Sequence, residues 1–423
     1  MNTPPIKMLN TVYLVGGAVR DMLLNKDSVD KDYVVVGSTS KQMMELGFKP
    51  IGKDFPVFLH PKTREEYALA RTERKTGPGY TGFAVDASEG VTLEEDLARR
   101  DLTINSMAMN VDGDIIDPYN GQHDLKNKIL KHTTNAFSED PLRVLRLARF
   151  RARYGYDWSI HTSTSDLVKQ IKQSGELDFL VAERVWKETE KALLEDNPQL
   201  YFETLNELGV LQSLFPELFD MHDIPQPAVY HPEGDVFKHT MLVLKRAADL
   251  DYGLETRFAA LTHDFGKAIN FKELGHLRGH ELRGVAVVES FCERLRIPNK
   301  LKNLAKLTSE LHLKCHKIAE LKPNTLQKML IVQLNALKNP RLFNQFIDAC
   351  QCDAQGRGPT LVNKPYPSAE QARFIVSKLA KLDAKKIVSD AQKKGRTGSE
   401  LGDALRIAQI ECIKQAKILF TET

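Results

Sequence analysis

Leu14-Val15-Gly16-Gly17-Ala18-Val19-Arg20-Asp21, followed a few residues later by Asp30-Lys31-Asp32-Tyr33-Val34-Val35-Val36, is the stretch from which the rest of the chain can be read. The β-branched runs at 12–15 and 33–36 predict two strands around a Gly-Gly turn that leads into an apolar-periodic segment. Adjacent glycines let backbone N–H groups approach a phosphate closely, the following helix start favours negative charge, and Arg20 adds a guanidinium fork for phosphate oxygens. Strand side chains alternate, so Asp30 and Asp32 face the same side. Two carboxylates so placed repel each other unless a cation sits between them, and hard oxygens beside substrate phosphates suit Mg²⁺. A Gly-Gly turn or a lone D-x-D is weak evidence; the two in succession point to phosphate chemistry.

Working outward, the runs at 57–60 and 65–70 flank Pro61-Lys62-Thr63-Arg64 and predict a hairpin, so the first ~135 residues read as mixed α/β. From Ser138 the pattern changes to long 3.6-residue periods, with Ser138 expected to cap a helix carrying Glu139, Asp140 and Pro141 in its first turn. With that change at 138, Pro/Gly-rich interruptions at 223–227 and 356–368 set the expected boundaries: a head at 1–137, a helical neck at 138–222, a helical body at 223–355 and a basic helical tail at 356–423. Asp140, Arg143, Arg146 and Arg149 recur every three residues and are expected to wind across one helix face. Arg100 and Asp101 are expected to begin a helix. The segment at 75–82, with three Gly and a Pro, is expected to be a mobile loop of the kind that gates a site.

Composition limits the alternatives. The 423 residues carry 59 Lys+Arg against 56 Asp+Glu, with 42% apolar and 27% charged residues. That excludes a disordered chain, a collagen-like chain and a disulfide miniprotein. No apolar run approaches the roughly 18–20 residues that span a bilayer, and residues 1–10 lack the apolar core of a secretory signal, so no membrane and a cytoplasmic setting are expected. The spacing Cys350-x-Cys352 is neither a redox nor a usual zinc motif, and the five Cys read as reduced thiols. Residues 373–423 hold eleven Lys/Arg against six Asp/Glu, a local basic excess suited to phosphate contacts.

The histidines are clustered. Of 12, eight lie between His222 and His316, where even spreading would put about three, and this flags a metal site. His239 falls inside an apolar helical pattern and His263-Asp264 ends another. His222, His231, His276 and His316 read as structural or surface residues.

These residues carry two resemblances. Gly16-Gly17-x-x-Arg20-Asp21 with Asp30-x-Asp32 resembles the nucleotidyltransferase superfamily that includes polymerase β. More closely it is similar to the bacterial-type tRNA nucleotidyltransferases, the CCA-adding enzymes. Arg99-Arg100-Asp101-Leu102-Thr103-Ile104-Asn105, Asp117-Pro118-Tyr119-Asn120-Gly121 with Asp124-Leu125, Glu139-Asp140-Pro141-Leu142-Arg143, and Glu183-Arg184 with Glu188 match that family's further motifs in order. The resemblance implies two metals held by Asp30 and Asp32 as a terminal 3′-hydroxyl attacks a nucleotide α-phosphate. A third carboxylate is implied on a neighbouring strand; Glu66 is the best positional match, and the adjacent Glu65 would face the other way. It also implies nucleotide contacts from Gly16, Gly17, Arg20, Arg100 and Asp101, and from Thr103 or Asn105 near the ribose. Asp140 and Arg143 are implied to read the Watson–Crick edge of cytosine or adenine, with Arg146 and Arg149 on the triphosphate or on tRNA.

The second resemblance is to the HD-type metal phosphohydrolases. It implies ligands His239, His263, Asp264 and a downstream Asp, either Asp353 or Asp348, with Asp353 preferred. His280 and His312 would complete a second metal or grip phosphate. Imidazole with carboxylate suits Ni²⁺ or another transition metal rather than Mg²⁺. Nucleotidyltransferase and HD domain in one chain resemble the multifunctional CCA proteins of gamma-type bacteria, with phosphatase, 2′-nucleotidase and 2′,3′-cyclic phosphodiesterase activities in the helical part.

The implied fold is α+β: a polymerase-β-like α/β head followed by an all-helical neck, HD body and tail. The implied partners are tRNA, CTP and ATP, acting on a monomer or homodimer. Two other readings compete. A poly(A) polymerase shares the head motifs but tends to be strongly basic and to lack the HD ligands. An HD hydrolase with an inert head is opposed by the intact Asp30, Asp32 and Glu139–Arg143 motif.

Overall fold

The computed structural model describes residues 11–27, 31–51, 56–75, 83–227 and 231–421. The chain divides into two compact units. The first holds residues up to Glu188 together with Leu200–Leu214; the second holds Thr189–Gln199 and everything from Phe215 onward.

Up to residue 116 the described strands of the first unit are β1 (Thr11–Val15), β2 (Asp32–Val36), β3 (Lys49–Pro50), β4 (Val57–Leu59), β5 (Glu66–Leu69), β6 (Thr72–Lys75), β7 (Phe83–Asp86), β8 (Ala108–Met109) and β9 (Ile115–Ile116). Seven form one sheet in the order β3-β4-β5-β2-β1-β8-β9, and β6 with β7 makes a separate ribbon. The expected hairpin is present as the antiparallel pair β4–β5, with Leu59 opposite Glu66. Only β2 and β5 run parallel among these pairs, with Asp32 opposite Glu66 and Val34 opposite Ala68. Alternation sorts the side chains between two cores. Val12, Val35, Tyr67 and Leu69 pack with Met43, Phe48 and Phe58 on one face. Val15, Val34 and Ala108 pack with Ala70, Val91 and Leu97 on the other. Asp32 and Glu66 belong to this second face, side by side at one end of their strands.

Two expectations about helix starts are corrected. Ser138 does not cap the long arginine helix. Residues Asn135–Glu139 form a 3₁₀ turn in which the Ser138 hydroxyl donates to the Asn135 carbonyl, and the helix runs Leu142–Tyr154. The Asp140 carboxylate accepts from the Leu142 N–H, so Asp140 stands ahead of the helix in extended backbone instead of on its face. The helix ends at Gly155, whose φ of 91° only glycine adopts freely. Arg100 and Asp101 likewise begin no helix: they follow one, Leu93–Ala98, fixed by a capping box of Thr92 and Glu95.

Beyond Phe215 the described chain is helical. Its main core gathers residues from Ala259 to Ala416 and runs across position 356 without a break. Helices Gly266–Leu274 and His280–Arg294 meet at glycines. A Cβ on Gly266 would lie 2.0 Å from the His280 carbonyl oxygen and 2.6 Å from the Gly284 nitrogen. Both obstacles are backbone, so the helices would have to separate. Gly266→Ala should therefore cost this unit about 1–3 kcal/mol, read as a lower urea midpoint. An unchanged midpoint would show that the helices part freely.

Candidate active sites

The first site is built on the Gly16 turn. Gly16 has φ of 69°, a backbone conformation that favours glycine, and a Cβ there would push aside an Arg100 guanidinium nitrogen 2.8 Å away. Around the turn opens a cleft of about 580 Å³ whose lining includes eight arginines and three aspartates. Such a surplus of guanidinium groups draws in polyanions.

A buried network ties the turn to the arginine helix. Arg20 donates to Asp21 at 2.9 Å and to the Asn105 amide oxygen at 2.5 Å. The Asn105 nitrogen donates to Asp101 at 2.9 Å, and Arg146 donates to the other Asp101 oxygen at 2.7 Å. Burial alone would raise the Asp101 pKa, but Arg146, Asn105 and Arg143 outweigh it and hold the carboxyl well below the usual range. Arg20 is thus a buried brace bordering the cleft, with its donors engaged by the protein, and not the open fork expected. Asn105 and Arg100 border the cleft as well, whereas Thr103 points away and donates to buried Asp124 at 2.7 Å. In a 3₁₀ turn residues two apart diverge, so Thr103 and Asn105 cannot both face one ligand.

Asp140, Arg143, Arg146 and Arg149 all line the cleft. Asp140 is gripped by Arg184, with guanidinium nitrogens 2.8 and 3.3 Å from its two oxygens. Arg143 donates to the Ala136 carbonyl at 2.8 Å, and Arg149 to Glu188 at 2.8 Å. Arg184 and Glu188, to which the motif resemblance assigned no role, are the groups that orient Asp140 and Arg149.

Asp32 and Glu66 are both exposed and line one smaller cleft of about 160 Å³, which Arg71, Arg99 and Arg100 also border. Neighbouring strands lie roughly 4.8 Å apart, a spacing across which two carboxylates can share a hard cation. Glu65 instead accepts from the Thr63 hydroxyl at 2.7 Å. Asp30 and the loop residues 76–82 lie outside the described residues.

The second site is a histidine cluster in the helical unit. Asp235 accepts from the Lys238 N–H and starts the helix Val236–Asp249, on whose buried face His239 sits. His263-Asp264 follows the fully buried end of Leu254–Thr262, His280 opens its own helix, and His312 lies on Asn299–His316. Asp353, on Pro340–Gln355, closes the group: its carboxylate is 3.2 Å from His239 Nε2 and 3.9 Å from His263 Nε2. Asp348 instead pairs with Arg373 at 2.6 Å.

Asp264 stands at the centre. One oxygen lies 3.1 Å from His263 Nε2, 3.7 Å from His239 Nε2 and 2.6 Å from the Lys267 ammonium. The other lies 3.1 Å from His280 Nε2 and 3.6 Å from His312 Nε2. Burial opposes ionisation of Asp264 and Asp353, yet the imidazoles around them, with Lys267 at Asp264, hold both far below the usual range. Burial pushes His312 down to about 3, keeping it a neutral ligand type. Among the described residues, buried His239 Nδ1 and Nε2, His263 Nε2 and both Asp264 oxygens have no hydrogen-bond partner. Inward-facing orphan donors of this kind fit a metal ion, and His239, His263 and Asp353 converge within 4.8 Å, as do Asp264, His280 and His312.

Of the histidines read as structural, His316 belongs to this cluster and His231 borders it through Glu233. His316 Nε2 is 2.6 Å from Asp353, and His231 Nδ1 is 2.9 Å from Glu233, which also contacts His239. His316 lies one helical turn from His312, a signal the sequence did contain. His222 stacks on Phe237 and His276 is exposed, as expected.

An arginine-lined nucleotidyltransferase-type cleft in one unit and an HD-type metal cluster in the other define a two-site enzyme of nucleotidyl transfer and phosphate chemistry. Residues 12–131 match the family described as Poly A polymerase head domain, 158–221 the probable RNA- and SrmB-binding site of polymerase A, and 236–335 the HD domain. The chain is 51% identical over 409 residues to the multifunctional CCA protein of Teredinibacter turnerae, covering 96% of this chain and 98% of that one. It is 49% identical over 408 residues to the same protein of Acinetobacter baumannii, covering 96% and 97%. The chain belongs to the multifunctional CCA protein family. Its fold is similar to that of the Bacillus stearothermophilus CCA-adding enzyme solved in complex with CTP, at a TM-score of 0.63, 22% identity and 97% and 91% coverage. The Thermotoga maritima CCA-adding enzyme, solved with tRNA, gives 0.62 at 20% identity and 96% and 90% coverage. Among the described residues no helix is long and apolar enough to cross a membrane.

Proposed function

We propose that this chain completes tRNA 3′ ends by adding C, C and A from CTP and ATP without a nucleic-acid template. The observation that carries this reading is the parallel register of β2 and β5, which sets Asp32 beside Glu66 at an arginine-lined cleft. Asp30 and Asp32, with Glu66, would hold Mg²⁺, which when bound stabilises charge on the attacking and leaving oxygens. The chain itself does the rest. The Gly16 turn admits the phosphates at close range, the arginines neutralise them, and the network through Asp101 and Asn105 keeps Arg146 in place before the nucleotide arrives. Asp140 offers acceptors and Arg143 donors to the base, so protein side chains take the place of a template.

In the helical unit His239, His263, Asp264 and Asp353 would hold Ni²⁺ or another transition metal, with His280 and His312 completing a second cation or phosphate position. Bound there, a metal supplies a Lewis acid and activates water near neutral pH. Lys267 and Arg357, the latter 3.1 Å from Asp353, contribute positive charge toward a phosphoester. Phosphatase, 2′-nucleotidase and 2′,3′-cyclic phosphodiesterase activities on damaged tRNA ends follow from this reading. In this division of labour residues 1–137 catalyse addition, 138–222 and the 356–423 tail engage RNA, and 223–355 hydrolyse. Lys381, Lys385, Lys386, Lys393 and Lys394 are exposed in the tail and suit the RNA backbone.

The test is incubation with CTP, ATP and tRNA lacking its 3′ end, followed by sequencing. The expected product ends in C-C-A. A long A tail would indicate a poly(A) polymerase, and no extension an inert head. Recognition through phosphates also predicts strong salt dependence. With about four phosphate contacts, affinity should fall on the order of 10²-fold between roughly 50 and 200 mM salt. A flat response in a filter-binding titration would refute backbone docking.

A further inference from the structure

The imidazoles around Asp264 and Asp353 are not held alike. His263, His280 and His312 each turn Nδ1 to a backbone carbonyl: Ala260 at 2.8 Å, Leu277 at 2.8 Å and Thr308 at 3.0 Å. His239 Nδ1 instead faces a carboxylate: a Glu233 oxygen lies 2.7 Å away, an ion-pair contact that falls outside hydrogen-bond geometry in this structure. The same oxygen lies 2.9 Å from His231 Nδ1. The Glu233 side chain is 4% exposed, and among the described residues its second oxygen has no hydrogen-bond partner. The segment that carries it is anchored on both sides, by the Pro225–Asp235 bridge and by Asp235 at the start of the next helix.

A carbonyl or a carboxylate behind Nδ1 fixes the tautomer, leaving the Nε2 lone pair aimed at the centre. A carboxylate also sets a negative charge behind the ring, which favours a cation bound in front of it. Burial keeps the Glu233 charge unscreened by salt. We propose that Glu233 is a positioning residue for the helical unit's metal: it orients His239 toward the centre and places a negative charge behind the ring, while His231 only shares the carboxylate. This rests on the reading that the cluster binds a transition metal.

The test uses the full chain, stripped with a chelator and titrated with Ni²⁺ against a chromophoric competitor. Glu233→Gln, close in volume, should weaken Ni²⁺ binding by roughly 10–100-fold. His231→Ala, which leaves the Glu233–His239 contact in place, should stay within about threefold of the parent. Binding by Glu233→Gln within about threefold of the parent overturns the proposal. So does an equal loss in His231→Ala, because Glu233 would then act through His231. Should Glu233→Gln also lower the melting temperature of the metal-free chain, Glu233→Asp decides. Recovery of part of the affinity supports a charge-dependent role, and affinity no better than that of the Gln variant overturns it. A parent chain that takes up none of Ni²⁺, Co²⁺, Mn²⁺ or Zn²⁺ fails differently, since it removes the metal-centre reading itself.

Discussion

Asp32→Ala should lower nucleotide addition by ~10³-fold or more and leave hydrolysis of phosphomonoesters intact, and His263→Ala should do the reverse. Losing a carboxylate that holds a catalytic cation removes several kcal/mol of charge stabilisation, and about 4 kcal/mol corresponds to ~10³ in rate. Asp32 sits at the exposed end of β2, supported by the sheet core around Val15 and Val34. His263 is buried among the helices of the other unit. Asp32 and His263 lie in different compact units, each supported by its own surroundings. Primer-extension rates and phosphate release, measured on the same preparations, separate the two. If either substitution removed both activities, the two-site reading would fail.

How much of this was legible in the sequence depended on the range of the interaction involved. Strand alternation at Val34-Val35 and the turn before Glu65 are local, and the strand that carries Asp32 and the hairpin that carries Glu66 lie where those signals put them. The choice between Asp353 and Asp348 turned on helix rotation: the apolar face of Pro340–Gln355 carries Asp353 inward, while Asp348 meets Arg373. What could not be read were partnerships between distant segments. Arg20 looks like a phosphate fork until Asn105, 85 residues away, is seen to occupy it. Asp140 looks like the start of a helical row until Arg184, 44 residues away, is seen to hold it. Glu233 gave no pattern at all, since its role depends on a loop folding back on His239.

Asp140→Ala should reduce the preference for CTP over UTP by at least ~10²-fold, about 2.7 kcal/mol, and the preference for ATP over GTP by a similar factor. Cytosine presents an amino group at C4 and adenine one at C6, where uracil and guanine present carbonyls. A carboxylate accepts from the amino groups and repels the carbonyls, so it selects both wanted bases and rejects both unwanted ones with a single group. The geometry favours this role. Two Arg184 nitrogens and the Leu142 N–H hold the carboxylate at the cleft wall, and an ionised carboxylate has about four acceptor positions. Because Arg184 fixes the direction of those positions, Arg184→Ala should cost selectivity too, by less than Asp140→Ala, since the acceptor survives. Single-turnover incorporation of each of the four nucleotides onto tRNA lacking its last three residues gives the ratios directly. The competing account makes Asp140 a tether that only keeps Arg184 in place. On that account Asp140→Ala lowers all four rates together and leaves their ratios within about threefold of the parent.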